Sequence, residues 1–526
     1  MRRPIQPRLL SAAFAALLAG TVIGTAGAET DTGKVVRGPA PVVLTPPDRI
    51  STPSGPASVQ SSLPDLGSSA NAALSRAEEY QVGRLMMRDL RSQNAVLDDP
   101  ESADYLQALG SRIAIEAQEG QQQFTFFAVR DQSINAFALP GGFIGLNTGL
   151  IQLTGGEAEL AGVVAHEIGH VVQRHIARAV EAQSRSSLAS IAGMLSGILI
   201  GAVTGNVGAM QGLIVAGQGI AMQQQINFTR GEEAEADRVG IGYLASAGFD
   251  PGGMAAFFST MSRERGLAGD YIPEMLLDHP VDTARIAEAR ARMTSLSGLP
   301  RRPESASYAY IRERLRVLSS DNSNDMRRYY EHQRAADPKN TALRYGAALA
   351  ELKSGDPRTA VNLLAPLVEA QPQLPLLHAA LAQALLAAGR NAEAKQTFER
   401  GLVLSPRNVP LSVRYAEALM QLNEAKKAHQ LLLDLFNNVM PTPEQIRLIA
   451  IAANAAGDVG DAYYYMGELH IASGDLMLAT TQLDLALATP GLTEVQRKRF
   501  QARKDEIGGF LREQRGSRTS RQQPPG

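Results

Sequence analysis

From residue 74 onward the apolar positions fall into helical and extended patterns that alternate along the chain. The stretch LSRAEEYQVGRLMMRDL (74–90) spaces its apolar residues three and four apart and predicts an amphipathic helix, with a second over 103–117. The segment FTFFAVRDQSINAFALPGGFIGLNTGLI (124–151) is dense in aromatic and branched residues and is interrupted at Pro140-Gly141-Gly142. It predicts two or three short strands. Helical spacing then runs from 155 to 183 and predicts one long helix. Positions 188–203, LASIAGMLSGILIGAV, are apolar throughout but rich in Gly, Ala and Ser. That run is short of the roughly 20 residues a bilayer span needs. A buried helix or flap is one reading; contact with a membrane surface is the other.

After Asp321 the pattern repeats. Pro338, Pro372 and Pro406 recur at an interval of about 34 residues, as do Gly355, Gly389, Asn423 and Gly457, and Ala360, Ala394 and Ala428. Small residues where two helices cross, at this period, are the tetratricopeptide signature. Each unit exposes an apolar face until stacked on a neighbour, so the repeats predict an α-solenoid with a groove for peptide or partner protein. Another unit fits 460–491. The interval from Ala428 to Ala479 is one and a half periods, which predicts an odd helix inserted near 446–456.

The N-terminus reads differently. Arg2 and Arg3 precede an apolar run and a small-residue site at Ala26-Gly27-Ala28, a secretory signal cleaved after Ala28, with an uncleaved anchor as the alternative. Residues 29–74 are a Pro/Ser-rich linker without apolar periodicity. The predicted plan is therefore signal 1–28, linker 29–74, catalytic domain 75–300, connecting helix 301–320, repeats 321–495, and a C-terminal helix with a disordered basic tail over 496–526. In class the chain is mainly α: an α+β domain of zincin type followed by the solenoid. A formal net charge of -2 argues against a nucleic-acid partner. With no cysteine in the chain, a metal could be held only by imidazole and carboxylate.

Such a set is present. His166 and His170 stand four apart, one turn apart on one helix face, with Glu167 beside the first; HExxH is the zincin arrangement. The competing reading is a helix whose histidines merely satisfy hydrogen bonds. Catalytic zinc needs a third protein ligand and an open position. The acidic segment RGEEAEADRVG (230–240) offers Glu233 as that ligand and Asp237, four positions on, as the group orienting a ligand histidine. Otherwise it is a solvated helix N-terminus favoured by the dipole. Glu167 is then the expected general base, with one zinc per chain as the expected cofactor. His175 lies nine positions beyond His166, half a turn out of phase on a continuous helix, and is not assigned as a ligand. His279, before Pro280, has three readings: a cap on the open zinc position, an oxyanion donor, or a loop histidine paired with a backbone carbonyl. His332, His378, His429 and His470 are read as helix-surface residues of the repeats.

HEIGH at 166–170 followed by EAEAD at 233–237, with NAFALPGGFIGLNTGLI upstream and DHPVDTARI downstream, resembles the HtpX-like, CaaX-prenyl-protease-type zinc metalloendopeptidases. The resemblance covers about 74–492 and departs from the membrane-integral members, since no convincing spanning helices flank the motif. It implies the same ligands, His166, His170 and Glu233, with Glu167 as base. It also implies that Gly142, Phe143, Ile144, Gly145 and Leu146 form a strand edging the cleft, where an extended substrate pairs. With the export signal and repeats, it implies a periplasmic enzyme of a Gram-negative bacterium. Its targets would be misfolded or stalled envelope proteins, particularly outer-membrane β-barrels, and the repeats would recruit substrate or the barrel assembly complex. A chaperone or adaptor with a latent protease site is the competing function. Peripheral membrane association through 188–203 is a third.

Overall fold

The structure, a computed structural model, describes residues 74–117, 122–182, 230–267, 275–276, 279–281, 283–296 and 298–521. The expectations for the signal, the linker and 188–203 lie outside these residues. The first helix, α1 (Arg76–Ser92), opens on a capping box in which Ser75 and Glu78 satisfy each other's backbone N–H groups. The second, α2 (Pro100–Ala114), is capped by Asp99 with Pro100 in its first turn, and a 3-10 turn (Ile115–Ala117) continues it. The predicted helix over 103–117 is this pair.

Three strands follow, β1 (Thr125–Val129), β2 (Ala136–Leu139) and β3 (Phe143–Asn147), in the order β1-β3-β2. β3 runs parallel to β1 and antiparallel to β2. This corrects the expectation that Gly142–Leu146 edges a cleft: Phe143, Ile144, Gly145 and Leu146 pair with a strand on both sides and have no free ladder for a peptide. Of the two outer strands, β1 carries a further bridge from Val129 to Val96, whereas β2 pairs with β3 alone among the described residues.

After a short helix α3 (Thr148–Leu153) comes the motif helix α4 (Glu157–Val172). The expected helix over 155–183 is broken. Arg174 adopts φ 55°, a left-handed conformation, and the chain restarts as α5 (His175–Ala182). Three helices complete the domain: α6 (Arg230–Ser246), α7 (Gly252–Leu267) and α8 (Thr283–Ser295). Its core gathers Leu106, Leu109 and Ile113 of α2, Ile144 and Leu146 of β3, Val164 and Ile168 of α4, and Ile241 and Leu244 of α6.

The predicted connecting helix is α9 (Tyr308–Leu318), and it does more than connect. Tyr308, Ile311 and Leu315 are buried in the catalytic core, while Tyr310 and Val317 are buried in the core of the first repeats. The next helix, α10 (Ser323–Ala336), starts one repeat period before α12 (Pro357–Ala370), so the periodic array already includes it. Between them lies α11 (Thr341–Ser354), and the solenoid continues with α13 (Pro375–Ala387), α14 (Asn391–Leu404), α15 (Val409–Gln421) and α16 (Ala425–Phe436). Next come α17 (Pro443–Ala456), α18 (Val459–Ala472), α19 (Leu476–Ala488) and the terminal α20 (Glu494–Arg521).

The expected inserted helix at 446–456 is not an insertion. α17 starts one period after α15, and α18 one period after α16, so both stay in phase. The small residue of that unit is Ala462, one period after Ala428 and buried at 8% exposure, which the Ala479 interval passed over. Two histidines read as surface residues are buried. His378 contacts the Pro372 carbonyl at 2.9 Å, and His429 faces Asp461 at 3.3 Å. His332 is exposed.

Candidate metal centre

Two close backbone approaches assemble the site. A Cβ on Gly169 would stand 2.9 Å from the Ala236 carbonyl, and one on Gly240 would stand 2.8 Å from the Ala165 carbonyl. Without side chains there, α4 and α6 cross close enough for a carboxylate of α6 to reach the imidazoles of α4. Glu233 is 1% exposed, which excludes the solvated helix start.

His166 Nε2 and His170 Nε2 are 3.0 Å apart, and Glu233 lies 3.5 Å from the first and 3.4 Å from the second. Ligand atoms held tetrahedrally at the usual zinc distances of about 2.0–2.1 Å are roughly 3.3 Å from one another, so the spacing fits one ion. The proton positions agree. His166 Nδ1 faces Asp237 Oδ1 at 2.9 Å, and His170 Nδ1 faces His175 Nδ1 at 2.8 Å. With Nδ1 carrying the hydrogen, both Nε2 atoms present lone pairs to the same point, an arrangement a cation stabilises. Glu167 is fully buried beside them.

His279 joins this group. Its Nδ1 is 2.9 Å from Glu233 Oε1 and 3.3 Å from His166 Nε2, and its Nε2 is 3.7 Å from Glu167 Oε1. His166, His170, Glu233 and His279 offer ligand atoms all within 4.8 Å of one another. The reading of His279 as a loop residue on a backbone carbonyl is therefore corrected: its ring faces carboxylates and imidazoles.

Comparison with known proteins places this geometry. A profile of peptidase family M48 matches residues 100–293, and a tetratricopeptide repeat profile matches 385–450. The chain is 31% identical over 452 residues to the beta-barrel assembly-enhancing protease of Yersinia pestis, covering 85% of this chain and 92% of that one. Against the protein of the same name from Escherichia coli K12 it is 30% identical, with 85% and 91% covered. A Vibrio cholerae relative is 38% identical over 314 residues, a match that spans 64% of that relative's length. The chain belongs to peptidase family M48. It is a metalloprotease, and the family's divalent metal has a donor set to hold it in His166, His170 and Glu233 of this M48 domain.

The electrostatics of the M48 site favour a cation. Burial opposes charge on His166, but Asp237 and Glu233 outweigh it and raise its pKa to about 10. Burial likewise would raise Glu233; His279 and the other imidazoles prevail and hold its carboxyl far below the usual range. His170 is lowered, chiefly by burial. A positive charge is thus stabilised at the centre of the cluster.

Two supports were missed in the sequence. Arg285 of α8 grips Asp237 through two hydrogen bonds of 2.7 and 2.8 Å and also pairs with Glu233 Oε2 at 2.7 Å. It stands in the DHPVDTARI stretch, where an arginine shortly after a site histidine was the available signal. The other is His175, 0% exposed and lodged against His170. The phase argument set it aside, and the break at Arg174 removes the premise. Glu232 is half-exposed at the α6 start. No helix among the described residues is long and apolar enough to cross a membrane.

Proposed function

We propose that the chain is an exported, zinc-dependent endopeptidase of the periplasm that degrades misfolded or stalled envelope proteins, outer-membrane β-barrels among them. The single observation that carries the catalytic part is the convergence of His166, His170 and Glu233 on one point, with Glu167 buried beside it. A zinc ion held by His166, His170 and Glu233 would supply a Lewis acid for a scissile carbonyl and would lower the pKa of a water to about 7. Glu167 would be the base that takes a proton from the attacking water and returns it to the leaving amine. Asp237 keeps His166 in the tautomer that presents Nε2 inward. The outer side of β2, a strand packed next to α4, is where an extended substrate would add as a further strand. The target class rests on the names of the relatives. Recruitment of clients or of the barrel assembly complex rests on the tetratricopeptide array.

A second reading, a chaperone or adaptor with a latent site, is favoured by His279 lying within the ligand cluster. One experiment separates them. Wild type and Glu167→Gln are compared for metal content by elemental analysis, for casein digestion with and without chelator, and for rescue of envelope integrity. The proposal expects about one zinc per chain in both proteins. It also expects a 10²–10⁴-fold loss of digestion in the variant, the usual worth of a general base. Full rescue by Glu167→Gln would give the binding role priority, and wild type without metal would overturn the hydrolase assignment.

A further inference from the structure

The break of the helix at Arg174 brings His175 against the far ring nitrogen of His170, and what it meets there forms a continuous chain of side chains. His170 Nδ1 is 2.8 Å from His175 Nδ1; His175 Nε2 is 3.2 Å from Glu235 Oε2; Arg178 Nη2 donates to the same oxygen at 2.8 Å. His175 is 0% exposed, whereas the Glu235 side chain, at 28%, reaches the surface. The series runs from the metal centre to solvent.

Proton accounting gives the series one direction. His170 Nε2 faces His166 Nε2 and Glu233, so a lone pair belongs there and the ring hydrogen belongs on Nδ1. That N–H donates to His175 Nδ1, which must then be the acceptor, leaving the His175 hydrogen on Nε2. This hydrogen points at the Glu235 carboxylate, the one orientation in which every atom of the series finds a complementary partner. The opposite tautomer of His175 would set two N–H groups head to head at 2.8 Å and turn a lone pair toward a carboxylate.

We infer that His175 is a positioning residue for the metal. It accepts the His170 Nδ1 hydrogen, is itself held by Glu235 and Arg178, and so fixes the tautomer and ring plane of the second imidazole ligand. The inference rests on the reading of His166, His170 and Glu233 as metal ligands. It makes the two imidazoles a matched pair. His166 is backed by Asp237 and then Arg285; His170 is backed by His175, Glu235 and then Arg178. Outer partners of this kind are worth 10–100-fold in metal affinity. Glu235 and Arg178 lie on different helices, α6 and α5, so the same series also ties the restart of the chain to the helix that bears Glu233.

The test is zinc affinity, measured by competition with a chromophoric chelator on the full-length protein, alongside the melting temperature of each metal-free form. Wild type is compared with His175→Ala, His175→Asn and Glu235→Ala. The Asn side chain is chosen because its Oδ1 can occupy the acceptor place of Nδ1. We expect His175→Ala to bind zinc 10–100-fold more weakly. His175→Asn should recover most of that loss, with the metal-free melting temperatures of the two variants alike. Equal affinity of His175→Ala and wild type overturns the inference, as does equal weakening in Ala and Asn, since the acceptor would then be irrelevant. If His175→Ala does not fold, Glu235→Ala decides: a several-fold loss supports the chain and an unchanged affinity overturns it. Wild type that binds no zinc is a distinct outcome, because it removes the ligand assignment on which the inference stands.

Discussion

Arg414, in the repeat helix α15, donates to Asp99, the N-cap of catalytic helix α2, at 2.8 Å across 315 residues of sequence. Arg314 of α9 grips the same carboxylate at 2.6 and 2.8 Å, and both arginines also reach Glu101. Asp99 and Glu101 are each 3% exposed, so this is a buried ionic cluster shared by the protease, α9 and the solenoid. Removing one partner of such a cluster leaves charge uncompensated and costs about 3–5 kcal/mol. Asp99→Asn should therefore lower the urea midpoint by that equivalent and expose the chain around α9 to limited proteolysis. A loss under about 0.5 kcal/mol, the scale of ordinary surface substitutions, would falsify the docking role.

The same cluster sets a pH response. Burial pushes the Asp99 carboxyl up, but Arg314 and then Arg414 prevail and hold it well below the usual range. For a group depressed on folding, the stabilisation is complete above the unfolded value of about 3.9 and is lost as pH falls through the folded value. Docking should persist from pH 8 to 5 and weaken only below about pH 4. Melting curves of wild type and Asp99→Asn check this: their difference should be constant at neutral pH and shrink in strong acid.

His279 lies 2.9 Å from the Glu233 carboxylate, within the ligand group, where it would close the position a substrate carbonyl needs. We expect His279→Ala to raise basal casein digestion. A ring covering nine sites in ten would conceal about a tenfold rate. A fall in rate would instead support the oxyanion role.

Gly169 and Gly240 set the distance between the two ligand-bearing helices. Alanine at either must displace a backbone carbonyl, at a cost of about 1–3 kcal/mol. Gly169→Ala should lose zinc affinity as well as stability, because the displaced partner is the helix that carries Glu233. A variant that is destabilised but binds zinc as tightly as wild type would show that the crossing tolerates the shift.

Arg285→Lys keeps the charge but not the fork that spans Asp237 and Glu233. Zinc affinity should drop 10–100-fold, the range for an outer partner. Unaltered chelator competition by the lysine variant would show that charge alone suffices.

Much of this was legible in the chain. The spacing of His166 and His170 fixes one helix face whatever surrounds it, and the constant repeat period fixes the solenoid through the small residues at each crossing. Glu233 was reachable because zinc needs a third ligand and the segment at 230–240 offers two carboxylates on one helix face. Position within the sheet was not: Phe143–Asn147 reads as a strand, but whether it lies at an edge depends on which upstream segments pair with it, those starting at Thr125 and Ala136. The break at Arg174 was hidden for another reason. Arginine carries no turn signal, and its left-handed conformation is held by tertiary contacts with Glu79 and the Leu74 carbonyl.

That break at Arg174 limits what can be transplanted. A straight synthetic peptide spanning 163–175 would reproduce both imidazoles and the acid between them, yet its last histidine would swing off the far side. Miniature mimics of this centre should then hold their ion loosely unless they also copy the kink. The unit worth grafting is a helix, a corner and the start of a second helix.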